Sequence, residues 1–252
     1  MQLIIVGYGR MGREIERIAL ERGHHVLATV DPAAADASDT SLAAAAQRVS
    51  GTEPATAIDF SLPEAVRQNV LTCAEKGWPL VLGTTGWDDQ QDEILAPALN
   101  AGSSVIHGSN FSVGANLFVR LAAYAQRLAE RAGGYDSGMV ELHHRGKKDS
   151  PSGTALMIAR HMLAEQSTKT RVHPETLHRG IEDEELHVVS GRIGHTPGTH
   201  TVYLDSQADT VELTHRARSR AGFARGAVLA AEWLQQNPGV HPVEDFFQDL
   251  YR

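Results

Sequence analysis

The first 31 residues contain the pattern that most restricts the fold of this chain. Residues 2–6 form an apolar, strand-like run, and a glycine loop at residues 7–12 leads from it directly into a helical pattern that stops at Gly23. A second apolar run, residues 25–30, ends in Asp31. A strand, a glycine-rich turn, a helix and a second strand with an acidic end are typical of a βαβ unit that binds a dinucleotide. The sequence therefore predicts such a unit here.

Each glycine of this loop has its own predicted task. Gly7 allows the tight turn, Gly9 lets the backbone approach a pyrophosphate at the helix start, and Gly12 permits close packing of helix on strand. Asp31 would accept hydrogen bonds from the ribose hydroxyls of the adenosine. The cofactor-binding residues predicted in the loop are Gly7, Tyr8, Gly9, Arg10, Met11 and Gly12. The alternative is a tight turn that binds no ligand.

Short apolar strands and helices then alternate as far as residue 112. Strands are predicted at residues 57–60, 80–82 and 105–107, and helices at 63–76 and 88–101, with one short helix in the polar segment 33–56. This alternation predicts an α/β fold with a Rossmann-like, doubly wound parallel sheet, whose ligand lies at the carboxyl ends of the strands. Further cofactor-binding candidates at those ends are Ser61, Gly83, Thr84, Thr85, Ser109, Asn110 and Phe111. The alternative is a set of polar loops without a ligand.

The pattern changes after a long helix predicted at residues 113–131. A polar, irregular stretch at 168–182 is followed by strand-like segments at residues 185–190, 199–205 and 210–215. The short connections between these segments predict a second α+β domain with a mixed, largely antiparallel sheet.

We expect two domains from these patterns. Residues 1–112 form the dinucleotide-binding domain, which is completed by C-terminal helices at about residues 222–252. Residues 113–221 form the second domain, which we expect to bind the substrate and to mediate oligomerisation.

The segment VELHHRGKKDSPSGTA, residues 140–155, lies in the second domain. It begins like a strand, with Glu141 and His143 on one face, and it leads into a helix predicted at 154–165, where Pro151 suits the first turn. Candidate caps for that helix are Asp149, Ser150 and Ser152. Outward-facing donors that would bind an anion are predicted at Ser152, Gly153 and Thr154.

The middle of this segment is basic. It holds two of the chain's four lysines, and its cations and imidazoles are His143, His144, Arg145, Lys147 and Lys148. Such a group suits a small substrate with two carboxylates, which cations and helix-start donors grip while a histidine or lysine moves a proton. A solvated basic surface is the alternative interpretation. A metal site is disfavoured, because the neighbouring strand residues His143 and His144 point to opposite faces.

The stretch HHRGKKDSPSGTA resembles the signature of the 4-hydroxy-tetrahydrodipicolinate reductase (dihydrodipicolinate reductase) family, roughly E-x-H-H-x-x-K-x-D-x-P-S-G-T-A. The glycine loop, GTTG, NFS, GRIGHTPGTHTV and HRARSRAGFARGA also resemble family segments, so the resemblance covers nearly the whole chain. It implies a reductase that transfers a hydride from NADH or NADPH to a cyclic unsaturated dicarboxylate derived from 4-hydroxy-tetrahydrodipicolinate. The product would be tetrahydrodipicolinate, in lysine and diaminopimelate biosynthesis.

The resemblance also implies roles for single residues. His143 and Lys147 match the positions that transfer the proton in the family, although His143 could instead be a structural histidine. The positions that match its substrate-carboxylate binders are His144, Gly153 and Thr154, to which we add Ser152. The second sheet carries the tetramer contacts in the family, so a homotetramer is expected. This chain departs from the family at Gly146, where some members have a third histidine, and in the glycine loop, which is one residue shorter than in many members.

Asp31 also bears on the choice of cofactor. Its charge would repel the 2′-phosphate of NADPH, and the residues that follow, PAAAD, provide no Arg or Lys before Arg48. We therefore predict that NADH is preferred to NADPH, unless Arg10 or Arg13 turns toward the phosphate. No metal cofactor is expected.

The composition disfavours several other classes of protein. A net charge of -8 argues against a nucleic-acid binder, and no apolar run approaches the roughly 20 residues that span a bilayer. The N-terminus has no basic leader, so we expect a cytoplasmic protein. Two alternatives remain. Another two-domain NAD(P)-dependent dehydrogenase would not need the signature, and a non-catalytic dinucleotide sensor would lose the proton-transferring histidine and lysine.

Overall fold

The strands of the described residues belong to two sheets. The computed structural model describes residues 1–49 and 55–252. The strands are β1 (Gln2–Val6), β2 (His25–Val30), β3 (Ala55–Asp59), β4 (Leu80–Leu82), β5 (Val105–His107), β6 (Asp136–His143), β7 (Arg171–His173), β8 (Glu185–Arg192), β9 (Thr199–Asp205), β10 (Thr210–Arg216) and β11 (Val240–Pro242). The helices are α1 (Arg10–Glu21), α2 (Leu42–Arg48), α3 (Pro63–Lys76), α4 (Gln91–Ala101), α5 (Val113–Ala132), α6 (Gly153–Leu163), α7 (Ala221–Leu234) and α8 (Val243–Leu250).

The first sheet is parallel throughout, in the order β11-β5-β4-β3-β1-β2. Along β1, Ile4 and Val6 pack into one hydrophobic core with α2, α3 and α4, whereas Leu3 and Ile5 pack into another with α1, α7 and α8. Successive residues of a strand point to opposite faces, so helices cover both faces of this sheet. The Rossmann-like, doubly wound prediction is therefore confirmed.

Local signals set the ends of several elements around this sheet. Helix α3 begins at Pro63 and ends at Gly77, whose φ of 65° lies in the left-handed region. The helix predicted at 88–101 divides into a short 3-10 turn and α4. The predicted short helix is α2, and residues 50–54 of the same polar segment lie outside the described residues. Strand β11 is absent from the prediction, because its three residues become a strand only by pairing with β5.

The described residues divide into two compact units. The first contains residues 1–113 and 220–252, and the second contains residues 114–219. Helix α7 packs tightly in the first unit, since a Cβ on Gly226 would lie only 1.7 Å from the Phe111 carbonyl oxygen. A glycine at this position therefore lets the C-terminal part of the chain pack against the first sheet.

The second sheet has the order β10-β9-β6-β8-β7. Strand β9 is antiparallel to β6 and β10, whereas β8 is parallel to β6 and β7. The sheet is mixed, as predicted, but its antiparallel pairings are two of four and not a majority. The short connection between β8 and β9 had suggested that these two strands pair with each other. In the structure β6 lies between them. Strand β7 lies in the stretch that was expected to be irregular, and its three residues are ordered by pairing with β8.

The two faces of the second sheet differ. Helices α5 and α6 cover one face, where Phe118 and Ile158 pack against Met139 and Val202. The other face carries Leu142 and Val189, which are exposed large apolar side chains. None of the described helices, including the 20-residue α5, is long and apolar enough to cross a membrane.

Candidate active site and cofactor loops

The glycine loop after β1 has a tight backbone fold. The Gly7 amide donates to the Val30 carbonyl oxygen at 2.8 Å, and its φ of 85° lies in the left-handed region. A Cβ on Gly7 would lie 2.2 Å from the Phe60 carbonyl oxygen, and one on Gly12 would lie 2.3 Å from the Gly7 carbonyl oxygen. In contrast, a Cβ on Gly9, which caps α1, would meet no atom within 4 Å. The loop therefore packs closely on two sides and leaves space at the start of the helix.

The side chains of this loop differ in exposure. Tyr8 is buried, and its hydroxyl donates to the Glu16 carboxylate while the Arg13 guanidinium lies 4.5 Å from its ring centre. The hydrogen bond to Glu16 and burial raise the pKa of Tyr8 to about 12, so the phenol stays neutral. Arg10 is exposed, and Met11 is partly buried against the core.

Asp31 lies beside a surface cavity of about 590 Å³. One of its carboxylate oxygens accepts a hydrogen bond from the Ala33 amide at 2.8 Å. The other residues that line the cavity are Pro32, Ala33, Ala34, Ala35, Ala37, Ser38, Asp39, Thr40 and Ala44. The lining includes carboxylates but no cation, which is the chemistry that the NADH prediction requires at this position.

A buried carboxylate connects the loops after β3 and β4. Asp59 is fully buried, and its Oδ1 accepts from the Ser61 amide at 2.8 Å and from the Thr84 hydroxyl at 3.0 Å. Its Oδ2 accepts from the Asn69 side-chain amide at 2.8 Å. Burial raises the pKa of Asp59. The sequence analysis missed this residue, although an acidic residue at the end of an apolar strand was a usable signal. Thr84 is turned inward by this contact, whereas Thr85 is exposed.

The remaining predicted cofactor residues lie in the loops after β4 and β5. A Cβ on Gly83 would lie 2.2 Å from the Phe60 ring, and the buried Phe111 ring packs edge-on to the same ring at 5.9 Å. Asn110 is buried and accepts an amide hydrogen bond within its own loop at 2.9 Å, while Ser109 is exposed. All four loops follow adjacent strands, β5, β4, β3 and β1, so the structure gathers the predicted cofactor residues at one edge of the first sheet.

The residues predicted for catalysis and substrate binding belong to the second unit, where a buried ion pair ends β6. Nδ1 of His143 lies 2.5 Å from Oε2 of Glu141, which is two residues earlier on the same face of the strand. The other carboxylate oxygen, Oε1, accepts from the Ser152 amide at 3.2 Å and from the Arg192 guanidinium at 3.1 Å. Burial opposes ionisation of Glu141, but hydrogen bonds from His143 and Ser152 outweigh it and hold the pKa well below its usual range.

A second histidine packs against this ion pair. His200 on β9 is the register partner of Glu141, and its Nε2 lies 3.9 Å from Glu141 Oε2 and 3.3 Å from the Ser152 hydroxyl. Its ring is edge-on to the His143 ring, with centres 5.2 Å apart. Burial and the neighbouring His143 lower the pKa of His200 to about 4, so this imidazole is neutral at physiological pH. The sequence analysis missed His200 and Arg192, because only the pairing of distant strands brings them to His143.

The start of α6 differs from the prediction at Ser152. This residue is the N-cap: its hydroxyl accepts from the Ala155 amide at 3.1 Å, and its own amide is bound to Glu141. Ser152 is buried, so the expectation that it faces outward as an anion donor is wrong. Pro151 precedes the cap and is not in the first turn. Gly153 is exposed and Thr154 partly exposed at the helix start.

The basic loop between β6 and α6 turns back on itself. The Lys147 amide donates to the His144 carbonyl oxygen at 3.1 Å, and Lys147 Nζ lies 2.8 Å from the Asp149 carboxylate. The Lys147 and His144 side chains are both partly exposed. A Cβ on Gly146 would lie 3.5 Å from His144 Nδ1, which is ordinary van der Waals contact, so the residue type at this position is not dictated by packing against His144.

Glu141, His143 and His200 are also residue types that bind metal ions, and their ligand atoms lie within 4.8 Å of one another. Two ligands of one zinc ion, each about 2.1 Å from it in tetrahedral geometry, would be roughly 3.4 Å apart. The 2.5 Å between Nδ1 and Oε2 is shorter than that and is the distance of a close ion pair. The geometry therefore fits an ion pair better than a metal centre.

Comparison with known proteins gives the same two-part division of the chain. Residues 1–111 match the family model described as dihydrodipicolinate reductase, N-terminus, and residues 114–247 match the one described as dihydrodipicolinate reductase, C-terminus. The chain belongs to the dihydrodipicolinate reductase family. Membership in the dihydrodipicolinate reductase family makes it an oxidoreductase that uses a pyridine nucleotide.

Similar members of the dihydrodipicolinate reductase family come from distant organisms. A 4-hydroxy-tetrahydrodipicolinate reductase from Christiangramia forsetii is 37% identical over 252 residues, which cover 100% of both chains. One from Archaeoglobus fulgidus is 34% identical over 95% of this chain and 96% of the relative. The solved structure of a dipicolinate-bound dihydrodipicolinate reductase from Paenisporosarcina sp. TG-14 has a TM-score of 0.77 at 22% identity, covering 97% of this chain and 98% of that one. The shared fold therefore extends over both units.

Proposed function

We propose that the protein is a 4-hydroxy-tetrahydrodipicolinate reductase. It transfers a hydride from NADH or NADPH to the cyclic unsaturated dicarboxylate derived from 4-hydroxy-tetrahydrodipicolinate, and the product, tetrahydrodipicolinate, serves lysine and diaminopimelate biosynthesis. The observation that carries this proposal is the full-length identity of 37% to a protein of that name, in a chain that retains both the glycine loop and the signature segment.

The residues of the second unit supply the proton and bind the carboxylates. Hydride addition to a conjugated double bond leaves negative charge on the neighbouring atoms, and a proton donor must quench it. His143 and Lys147 carry that task, since one ends β6 and the other lies in the loop that follows it. His144 and the helix-start residues Gly153 and Thr154 hold the two carboxylates, because amides at a helix start favour anions.

The residues of the first unit hold the cofactor. When bound, the nicotinamide supplies the hydride. The open backbone at Gly9 admits the pyrophosphate at the start of α1, and Asp31 accepts from the adenosine ribose. The loops that end β3, β4 and β5 position the nicotinamide side, with Ser61 and Thr84 fixed by Asp59.

NADH is the preferred cofactor in this proposal. Arg13 is bound to Asp36 and Arg48 is bound to Asp39, so both cations are already neutralised by carboxylates near the Asp31 cavity. A 2′-phosphate would therefore meet the charge of Asp31 while these two cations are held by other carboxylates. Specificity constants for NADH and NADPH, measured at one ionic strength, test this. We expect the NADH value to be larger and the difference to shrink in Asp31→Ala, whereas equal values in the wild type contradict the preference.

The protein is also proposed to be a cytoplasmic homotetramer whose second unit makes the subunit contacts. Two exposed apolar side chains on the open face of the second sheet, Leu142 and Val189, support this, since open apolar sheet faces favour association. Light scattering of the purified protein measures the assembly directly.

One coupled assay tests the function. A synthase condenses aspartate semialdehyde and pyruvate in the reaction mixture, and NADH absorbance is followed after the protein is added. We expect NADH oxidation that depends on both the synthase and the protein. Oxidation of amino acids or sugars instead would favour another two-domain dehydrogenase, and NADH binding without turnover of any substrate would favour a dinucleotide sensor.

A further inference from the structure

We propose that Glu141 is a positioning residue that fixes the tautomer and orientation of His143, so that Nε2 is the imidazole nitrogen that exchanges a proton with the substrate. This inference rests on the proposed function, in which His143 moves a proton. Glu141 itself has no part in binding substrate or cofactor.

The first step of the argument is the contact between the two side chains. Oε2 of Glu141 lies 2.5 Å from Nδ1 of His143. An ionised carboxylate oxygen presents only lone pairs, so a ring nitrogen in such close contact with it must carry a hydrogen and not a lone pair. In the neutral imidazole the other nitrogen, Nε2, then has a free lone pair, and in the protonated imidazole Nε2 is the nitrogen that can release its proton while Nδ1 keeps its hydrogen against the carboxylate.

The second step is that the carboxylate is itself fixed. Oε1 accepts from the Ser152 amide and from the Arg192 guanidinium, at 3.2 and 3.1 Å. These two donors come from the start of α6 and the end of β8, so three elements of the unit hold Glu141 in place. Its side chain is fully buried, and the neighbouring His200 is neutral. The carboxylate therefore offers Oε2 to His143 in a constant position.

The third step concerns the opposite side of the ring. A Cβ on Gly198 would lie 2.9 Å from His143 Nε2. Any other residue at this position would place a side chain against that nitrogen. The ring is thus held at Nδ1, while the glycine at position 198 leaves space beside Nε2.

These contacts predict what Glu141→Gln does. The site of Oε1 faces two donors, so the glutamine would place its carbonyl oxygen there and its NH₂ group at the site of Oε2. The NH₂ group would then face Nδ1, which can pair with it only as an acceptor. The variant should therefore shift the hydrogen to Nε2 and leave the imidazolium form without an acceptor.

Nitrogen NMR of the purified, histidine-labelled protein measures the tautomer without any turnover. His143→Gln identifies the His143 signals by their loss. We expect the Nδ1–H tautomer in the wild type and the Nε2–H tautomer in Glu141→Gln. The Nε2–H tautomer in the wild type would overturn the proposal, even if the protein proves to have another substrate. Absence of turnover with a wild-type Nδ1–H tautomer would instead contradict the proposed function alone.

A double-mutant cycle separates positioning from general support of the fold. Glu141→Gln should lower kcat by about 10- to 100-fold while the KM and NADH affinity change little. In a His143→Gln background the same substitution should lower kcat by less than about twofold, because the residue through which it acts is already gone. If the double variant instead loses kcat by the product of the two single losses, the proposal is overturned.

Glu185→Gln is the matched control. Glu185 is also buried and paired with arginines, Arg179 at 2.7 Å and Arg171 at 3.3 Å, but it begins β8, whereas the Glu141 partner Arg192 ends that strand. We expect this variant to lose stability and keep its kcat. If Glu141→Gln does not fold, Glu141→Asp replaces it, because aspartate keeps an acceptor-only carboxylate. The Asp variant should then retain the Nδ1–H tautomer, and the Nε2–H tautomer there would contradict the proposal.

Discussion

The guanidinium of Arg13 donates two hydrogen bonds to the carboxylate of Asp36, at 2.6 and 2.7 Å. Arg13 is the α1 cation that could otherwise serve a cofactor phosphate, and Asp36 follows Asp31 in the same connecting segment. The ion pair is exposed, so it can exchange partners with little cost. We therefore expect the competition for Arg13, as well as Asp31, to influence the choice between NADH and NADPH.

The first prediction is that Asp36→Ala improves the use of NADPH. Releasing Arg13 should raise kcat/KM for NADPH by roughly fivefold, because a free guanidinium can pair with the 2′-phosphate. The value for NADH should change little. The control is Glu14→Ala, which adds the same net charge one turn further along α1 but leaves Arg17 paired with Glu21. An equal gain in the control would show that any added positive charge suffices.

The second prediction concerns proton transfer. His143→Ala and Lys147→Ala should each lower kcat by about 10²-fold or more, because each removes a group that handles the proton. NADH affinity, measured by fluorescence titration, should stay nearly constant, since both residues lie in the second unit and the glycine loop lies in the first. A variant with wild-type turnover removes that residue from the mechanism.

The pattern of the chain was enough to predict the first sheet and its helices. Strand β1, helix α3 and strands β4 and β5 have the predicted bounds, because proline and glycine at the ends of α3 and unbroken apolar runs are local signals. Strands β7 and β11 were missed. Each is an edge strand of three residues that is stabilised by pairing with its single neighbour, β8 or β5, which no local pattern records.

The candidate site was also only partly predictable from the sequence. His143 and Lys147 lie in a contiguous signature, so the sequence was enough to propose them as candidates. The position of His200 opposite Glu141 depends on the register of β6 and β9, which is set by the fold of the whole unit. The inward turn of Ser152 could not be foreseen either, because a serine before a helix can cap it or face solvent, and the buried Glu141 decides between them.

The third prediction separates two neighbours at the start of α6. Thr154→Val should raise the KM for the dicarboxylate by roughly tenfold with little loss of stability, because it removes a hydroxyl donor at the helix start. Ser152→Ala should instead lower the free energy of unfolding by about 1 kcal/mol, because it removes the cap of α6. Kinetics and urea unfolding of both variants decide this, and an unchanged KM in Thr154→Val would place that residue in packing.

The fourth prediction is that Asp59→Ala weakens NADH binding. The Ser61 amide and the Thr84 hydroxyl both donate to Oδ1 of Asp59, so removal of the carboxylate takes the shared acceptor from both loops. We expect a rise of about tenfold or more in the NADH dissociation constant. Asn69→Ala is the control, since it removes a donor to Oδ2 only. An NADH affinity unchanged in Asp59→Ala would limit Asp59 to a structural role.

The last prediction follows from the depressed pKa of Glu141. Its unfolded-state pKa is near the ordinary value of 4.5, and its folded-state pKa is lower, since the hydrogen bonds outweigh burial. Its ionisation therefore stabilises the fold fully above pH 4.5, and this contribution is lost as the pH falls through the folded-state value.

Urea unfolding of wild type and Glu141→Gln at a series of pH values measures this contribution. The difference in unfolding free energy should be constant from neutral pH down to about 5 and then shrink, with a slope of at most about 1.4 kcal/mol per pH unit. His143→Gln should reduce that slope, because His143 is the nearest of the ion-pair partners of the carboxylate. A difference that does not depend on pH would mean that the pKa of Glu141 is the same in the folded and unfolded states, which would contradict stabilisation of the carboxylate by its folded-state partners.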